Sequence, residues 1–571
     1  MHLNRKLIFP LFIAVSAALL FIPLIGKVHL FDWDEINFAE SAREMIVTGD
    51  YSTVQINYAP FCEKPPLFIW LQTASMDAFG INEFAARFPN SICGILTLLV
   101  LFFLGRKLYD NSFGMILAFT YIAGILPFFY FKSGLIDPWF NLFILLGIVF
   151  IYFHYLKQEL KPFKYLSISA FFIGLAILTK GPVALLITIL VVLIFMLFSR
   201  NKIKFNWIQL VLFFCILILT AGSWFIIQLV NGDYDIVVDF IKYQIQLFST
   251  KSAGHGGSFF YHFIILFFLV FPTSVIALKA LIQKQNFRST EQQAFRKMMV
   301  ILFWVVLILF SIVKTKIIHY SSLCYFPLSF LAASEIYDNI KNKQKPAKWQ
   351  LVLLFSVSLI YAVALLAFFL LPLYKNIIIA KGWIHDSFEI ACLNTNVGFN
   401  IFELAAVIIL PLFIIVAYRF FSLGKNRIAW ITIISGSIVF NFISLMLIAP
   451  KAEQYSQNSL IEFCSGKQNP NYIVTTKGFF SYAPLFYAKL TKLKKPISWP
   501  ISYGHKFPPD KKVFVIMKMD KDYRIIKYYH DLKLLYVKNG YVFLEKVKPV
   551  INEVKNATKF EMIIPGKRKP I

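Results

Sequence analysis

The sequence predicts an all-α polytopic membrane protein that carries a small C-terminal α/β domain, on three observations. Hydrophobic residues make up 58% of the 571 residues and charged ones 15%, and the apolar residues gather into repeated runs near the ~20 residues that a helix needs to cross a bilayer core. Basic residues recur in alternate short loops between those runs. From Lys451 onward the long runs stop and short β-like alternations take over.

Taken in order, the runs predict helices over residues 7–26, 84–105, 113–131, 138–156, 165–179, 183–199, 207–230, 259–282, 298–313, 320–337, 350–374, 400–419 and 428–449, thirteen in all. Arg5 and Lys6 before the first run resemble a signal peptide, but no small-residue cleavage pattern follows, so the run reads as a retained first helix. The run after Pro65 is broken by Gln72 and Asp77 and reads as an interfacial helix. The expected division is a transmembrane domain over 1–449, with residues 31–83 as a first outer loop, and an extramembrane domain over 450–571.

Charge supports this count. The excess of 57 Lys and Arg over 30 Asp and Glu lies partly in Arg106-Lys107, Lys157, Lys161 and Lys164, then Arg200, Lys202 and Lys204. It continues in Lys284, Arg288, Arg296 and Lys297, in Lys341 to Lys348, and in Arg419, Lys425 and Arg427. With thirteen helices every one of these loops falls on one side, the cytoplasmic one by the positive-inside rule. The first polar segment, the turn 134–138, Lys180-Gly181-Pro182, the loop 231–258, the turn 314–319 and the C-terminal domain then share the outer face. Six cysteines without a C-x-x-C pair suggest neither a disulfide framework nor a thiolate metal site.

The C-terminal segment carries 23 Lys and Arg against 9 Asp and Glu. That balance fits a solvated surface, or attraction to anionic headgroups or a phosphorylated substrate. Strands are expected near 472–475 and 513–517, helices near 482–489 and 521–529, and a hairpin over 534–544 around Lys538-Asn539-Gly540.

The polar segment Phe31 to Trp70 concentrates the chemistry. Asp34, beside Trp33 and Glu35, sits just past the first helix; it reads as a partly desolvated acid that orients or deprotonates a hydroxyl, or as a solvated carboxylate or cap of the helix expected over 37–47. In Glu63-Lys64-Pro65-Pro66 the prolines fix the backbone and hence the Lys64 ammonium, for a phosphate and divalent ion or for a loop salt bridge. Asp137 before Pro138 closes two apolar spans, as a helix cap, a site residue or both. Glycines flank His255, which could complete a metal shell with Glu63. Lys180, Lys314, Lys316 and His319, followed by Tyr320, add cations to the same face, for a ligand or for lipid headgroups.

Together these motifs resemble the bacterial aminoarabinose transferases that modify lipid A and, more distantly, the protein O-mannosyltransferases, both membrane glycosyltransferases of the GT-C fold. The resemblance runs over essentially the whole chain. It implies a polyprenyl-phosphate-linked sugar, generally on undecaprenyl phosphate, transferred with inversion to a lipid A, glycan or protein acceptor at the periplasmic face of the bacterial inner membrane. By position it implies catalytic Asp34 and Asp137, with Glu35 beside them, and a donor-phosphate site at Lys64, to which Lys180, Lys316, His319 and Tyr320 are added. It also implies a divalent metal held by Glu63 and His255. Membrane lipids are expected partners and nucleic acid is not. A transporter or flippase of lipid-linked saccharides is the alternative, and it should show mid-bilayer charges or paired broken helices.

Overall fold

A computed structural model of the chain describes residues 5–158, 160, 163–199, 203–249, 256–283, 289–493, 507–519 and 531–547. It divides into two compact units. The larger extends to Lys381 and resumes over Thr395–Asn458; the smaller takes Gly382–Asn394, Ser459–Thr491 and the strands that follow.

In the larger unit α1 (Arg5–Phe21) leads into the polar segment, which folds as α2 (Asp34–Thr48), a two-residue hairpin of β1 (Gln55–Ile56) and β2 (Ala59–Pro60), and α3 (Leu67–Phe79). There follow α4 (Glu83–Leu108), α5 (Asn111–Ala123), α6 (Ile125–Tyr130), α7 (Asp137–Lys157), α8 (Lys164–Lys180) and α9 (Val183–Phe198). Next come α10 (Trp207–Ala221), α11 (Ser223–Asn231), α12 (Tyr234–Ser249), α13 (Tyr261–Leu269), α14 (Thr273–Ile282) and α15 (Thr290–Ile312). A 3-10 turn, Ile318–Cys324, opens α16 (Tyr325–Lys341), and α17 (Lys348–Ala380) is the longest helix described. After α18 (Ser387–Leu393), which belongs to the smaller unit, α19 (Leu404–Ser422) and α20 (Asn426–Ser456) close the bundle.

Helix is present at all thirteen predicted spans, and the chain is a multi-pass membrane protein. The count of crossings is smaller by length and composition: among the described residues six helices are long and apolar enough alone, or up to eight if each bent pair is one span. The predicted run 207–230 bends by 55° between α10 and α11, and 259–282 bends by 117° between α13 and α14. Local chemistry accounts for both breaks. A Cβ on Gly222 would stand 2.3 Å from the Ile218 carbonyl oxygen, and Pro272 has no N–H to continue the helical ladder. The run 113–131 is likewise interrupted, by the extended backbone of Gly124. The loop expected over 231–258 is mostly helix, α12.

Burial separates centre from periphery. In α7, 72% of the apolar window is buried inside the protein, against 17% in α17, so α7 is the bundle's central helix and α17 turns most of its surface to lipid. Helices α4 and α5 approach closely because both are glycine at the crossing: a Cβ on Gly105 would lie 2.8 Å from the Gly114 Cα.

The smaller unit contains most of α21 (Asn458–Ser465), then β3 (Tyr472–Lys477), α22 (Ala483–Tyr487), β4 (Lys512–Lys518), β5 (Leu532–Lys538) and β6 (Tyr541–Lys546). The sheet order is β3-β4-β6-β5, with β3 and β4 parallel and the rest antiparallel. The β5–β6 turn forms as expected, with Asn539 and Gly540 both at positive φ, 50° and 75°, the conformation of the tight turn that matches strand twist. The helix expected near 521–529 lies outside the described residues. Helix α20 runs unbroken through Pro450 to Ser456, several residues past the boundary expected at 449.

Candidate active site

The buried ion pair between Arg87 and Glu35 builds the site. Arg87, in the first turns of α4, donates to the Ile25, Val28 and His29 carbonyls at 2.7, 2.6 and 2.8 Å and to both Glu35 carboxylate oxygens at 2.9 and 2.8 Å. Glu35 also accepts from the backbone N–H of Phe31 and of Gly134. Burial alone would raise the Glu35 carboxyl; the Arg87 guanidinium and these N–H donors hold it below its usual value. One charge pair therefore fixes three separate segments, and both oxygens of Glu35 are spent in doing so. Next door, the Lys132 ammonium donates to the Leu20 and Pro23 carbonyls at 2.9 and 2.7 Å, closing the C-terminal end of α1. Asn90 donates to the Ser133 and Leu135 carbonyls, both at 2.6 Å. The turn that delivers Asp137 is thereby held on both sides.

On this frame Asp34 and Asp137 occupy the first turns of α2 and α7, where the helix dipole favours a carboxylate. The residue before each makes no side-chain cap, and among the described residues neither aspartate is engaged by a backbone N–H. His319, in the 3-10 turn before α16, stands between them, with Nε2 3.7 Å from Asp34 Oδ2 and 3.9 Å from Asp137 Oδ2. That turn is tied to α7 by Asn141, which donates to Ser322 Oγ at 2.7 Å, while Ser322 donates to the His319 carbonyl. Burial lowers the His319 pKa against the pull of Asp137, so the ring is neutral at neutral pH. The other Asp137 oxygen accepts from Lys180 Nζ at 2.6 Å. Asp137 itself is 2% exposed, and its Oδ2 has no hydrogen-bond partner among the described residues. A buried carboxylate oxygen left in this state has room for a ligand's proton.

The cations take different positions. Lys180 ends α8, with its ammonium 5.3 Å from the Tyr320 ring centroid and 5.7 Å from that of Phe140. Gly181 after it has φ +111°, and a Cβ there would meet the Gln244 side chain at 3.1 Å, so the Lys-Gly-Pro turn needs this glycine. The half-buried Lys64 ammonium lies 5.5 Å from the Tyr243 ring centroid and has no ion-pair or hydrogen-bond partner among the described residues. Burial lowers its pKa against the opposing charge of Glu63. Lys316 goes elsewhere: its ammonium donates to the Phe310, Ser311 and Val313 carbonyls at 2.9, 2.6 and 2.7 Å and so caps the end of α15. The structure does not bring it to the aspartates.

Asp34, Glu63, Lys64, Asp137, Lys180, His319 and Tyr320 line one cavity of about 740 Å³. The rest of its wall is largely apolar, including Phe140, Ile187, Phe310, Leu323, Phe442 and Met446. A polar end and greasy flanks suit an amphiphilic ligand with a charged head. For a metal, Glu63 directs Oε2 to the Tyr243 hydroxyl, which donates at 2.9 Å, and His255 lies outside the described residues. No group of three His, Cys, Asp or Glu among those described is arranged to hold a metal ion, so at Glu63 the residues in view supply one carboxylate and not a donor set.

Sequence reasoning passed over Arg87 and Tyr243. A charge inside an apolar span was the available signal for Arg87; Tyr243 carried none, because its segment read as loop.

Comparison with known proteins follows the same lines. A family model described as dolichyl-phosphate-mannose-protein mannosyltransferase matches residues 63–224. The chain is 27% identical over 329 residues, 56% of its length and 58% of the relative's, to the undecaprenyl phosphate-alpha-4-amino-4-deoxy-L-arabinose arabinosyl transferase of Photorhabdus laumondii. It is 26% identical over 380 residues, 64% of its length and 66% of the relative's, to the protein of the same name in Yersinia pestis. These matches span less than two thirds of either relative. In fold, the crystal structure of ArnT from Cupriavidus metallidurans bound to undecaprenyl phosphate aligns with a TM-score of 0.73 at 17% identity, over 94% of this chain and 98% of that one. Its apo form aligns with a TM-score of 0.70. The motifs around Asp34, Lys64 and Asp137, the related sequences and the shared architecture make this chain similar to the aminoarabinose transferases in sequence and in fold.

Proposed function

We propose that the chain is an inverting glycosyltransferase that moves a sugar from a polyprenyl phosphate, of the undecaprenyl class named for its relatives, to a lipid acceptor such as lipid A, with glycan and protein acceptors as the other outcomes of the test. The observation that carries the reading is the pair of aspartates about His319, facing a lysine without an ion-pair partner among the described residues, at the polar end of an apolar-walled cavity. The donor's phosphate binds the Lys64 ammonium, with Lys180 and Tyr320 beside it, and its prenyl chain lies along the apolar wall. The acceptor oxygen attacks the anomeric carbon from the face opposite the phosphate. The C–O bond to phosphate breaks with its electron pair, and Lys64 stabilises the charge that develops there. A hydroxyl acceptor gives its proton to Asp34. An acceptor that is already an anionic phosphate needs no base, and Asp34 then orients it or binds an amino group on the sugar. Single displacement inverts the centre.

A divalent ion is part of the proposal only at Glu63, which would hold it against the donor's phosphate; no step above runs through it. The proposed location is the bacterial inner membrane, with the site and the smaller unit periplasmic, which the alternation of basic loops supports.

The test is transfer of label from a polyprenyl-phosphate sugar pool in membranes, comparing wild type with Asp34→Asn and Lys64→Ala at matched expression. Label reaching a lipid, glycan or protein fraction in wild type alone supports the reading and identifies the acceptor class. Equal transfer in all three overturns the roles of both residues.

A further inference from the structure

Glu63 and Lys64 are neighbours of opposite charge in a partly dry cavity, where pairing with each other is the obvious outcome. They do not pair: no carboxylate oxygen lies within 4.0 Å of the Lys64 ammonium among the described residues. The reason stands on α12. The Tyr243 hydroxyl donates to Glu63 Oε2 at 2.9 Å, while the face of the same ring lies 5.5 Å from the Lys64 ammonium. Next to it, Gln244 donates to the Glu63 carbonyl at 3.4 Å. A phenol thus takes the carboxylate with its edge and the cation with its face. Pro65 adds a constraint, since proline disfavours helical backbone at the residue before it and so narrows the conformations open to Lys64.

We propose that Tyr243 is a positioning residue that holds the Glu63 carboxylate away from Lys64, leaving the ammonium available to an anionic phosphate. Tyr243 does not touch the reacting atoms; it acts by deciding which partner Lys64 meets. Without the hydroxyl, Glu63 turns to Lys64 and competes with the incoming phosphate for the same cation. This inference rests on the reading of Lys64 as the donor-phosphate site, so the experiment separates the two.

Binding of undecaprenyl phosphate to the full-length protein in nanodiscs, with chelator present, is measured for wild type, Lys64→Ala, Tyr243→Phe, Glu63→Gln and the Tyr243→Phe/Glu63→Gln double variant. Tyr243→Phe keeps the ring over Lys64 and removes only the hydroxyl. Its affinity is expected to fall about fivefold, the scale of one buried hydrogen bond, with donor KM raised and kcat unchanged. In the double variant the competing charge is gone, and affinity returns to within twofold of wild type. Structural damage would not be repaired by a second substitution. Wild-type binding by Tyr243→Phe, or a loss that Glu63→Gln fails to restore, overturns the inference. If Lys64→Ala binds as wild type does, the phosphate-site reading itself falls; if Lys64→Ala is weak while Tyr243→Phe is unchanged, only the role of Tyr243 falls.

Discussion

Arg87 and Glu35, 52 residues apart in sequence, form a two-pronged ion pair in which Glu35 is 5% and Arg87 4% exposed. Asp34, the neighbour of Glu35, is therefore held by a residue that has no chemistry left to offer. Removing one member of such a pair strands a buried charge, at a cost of about 3 to 5 kcal/mol. Glu35→Gln is accordingly expected to lower the thermal unfolding midpoint in detergent and to lose activity along with folded protein. Asp34→Asn should leave the midpoint within error and lower kcat about 100-fold or more if Asp34 is the general base. A stable, active Glu35→Gln protein would show that the clasp does not hold the site.

Lys316 tests the difference between a basic residue on the correct face and one in the site. Its ammonium completes the carbonyls at the end of α15. Lys316→Met should cost stability, on the order of 1 to 2 kcal/mol, while donor KM stays within about twofold of wild type. Lys64→Met should do the reverse. Donor titrations and melting curves on both variants decide it.

The bundle was legible because composition speaks for itself: a run of 20 apolar residues has few other destinations. Where helices bend was less legible, since the breaks at Gly222 and Pro272 depend on one residue each inside unbroken apolar runs. In the site, Asp34, Lys64, Asp137, Lys180 and His319 lie in polar turns between greasy spans, so their sequence positions alone mark them. Contact partners were not legible. That Glu35 is spent on Arg87, that Lys316 caps its own helix and that Tyr243 reaches Glu63 from 180 residues away are facts of packing, and basic residues such as Lys64 and Lys316 look alike until their neighbours are known.

His319 predicts an acid limb. Its pKa is lowered, chiefly by burial, so the unfolded state binds the proton more readily than the folded one. The neutral ring's contribution is complete above the ordinary histidine range and is lost as pH falls below it. Protonation places a cation 3.7 Å from Asp34 and 3.9 Å from Asp137, which ties up both carboxylates. Transfer should therefore fall as pH drops below the ordinary histidine range, and His319→Gln should move that limb to lower pH. An unmoved limb would assign it to another group.

Lys64 predicts the alkaline limb, and which kinetic constant shows it. Burial lowers the ammonium's pKa, so in the free protein the charge that receives the phosphate is complete at neutral pH and is lost, as pH rises, before an ordinary lysine would lose it. The bound donor's phosphodiester anion stabilises the protonated form and pushes the titration back up. The limb should then appear in kcat/KM for the donor, which follows the free enzyme, and be weaker or absent in kcat, which follows the complex. Lys64→Arg removes the titration because a guanidinium stays charged throughout the accessible range. Its kcat/KM should be lower at neutral pH, where the geometry is less suited, yet flat to higher pH than the wild-type profile. Coincident limbs in kcat and kcat/KM, or an Arg variant that declines at the same pH as wild type, would take Lys64 out of donor binding.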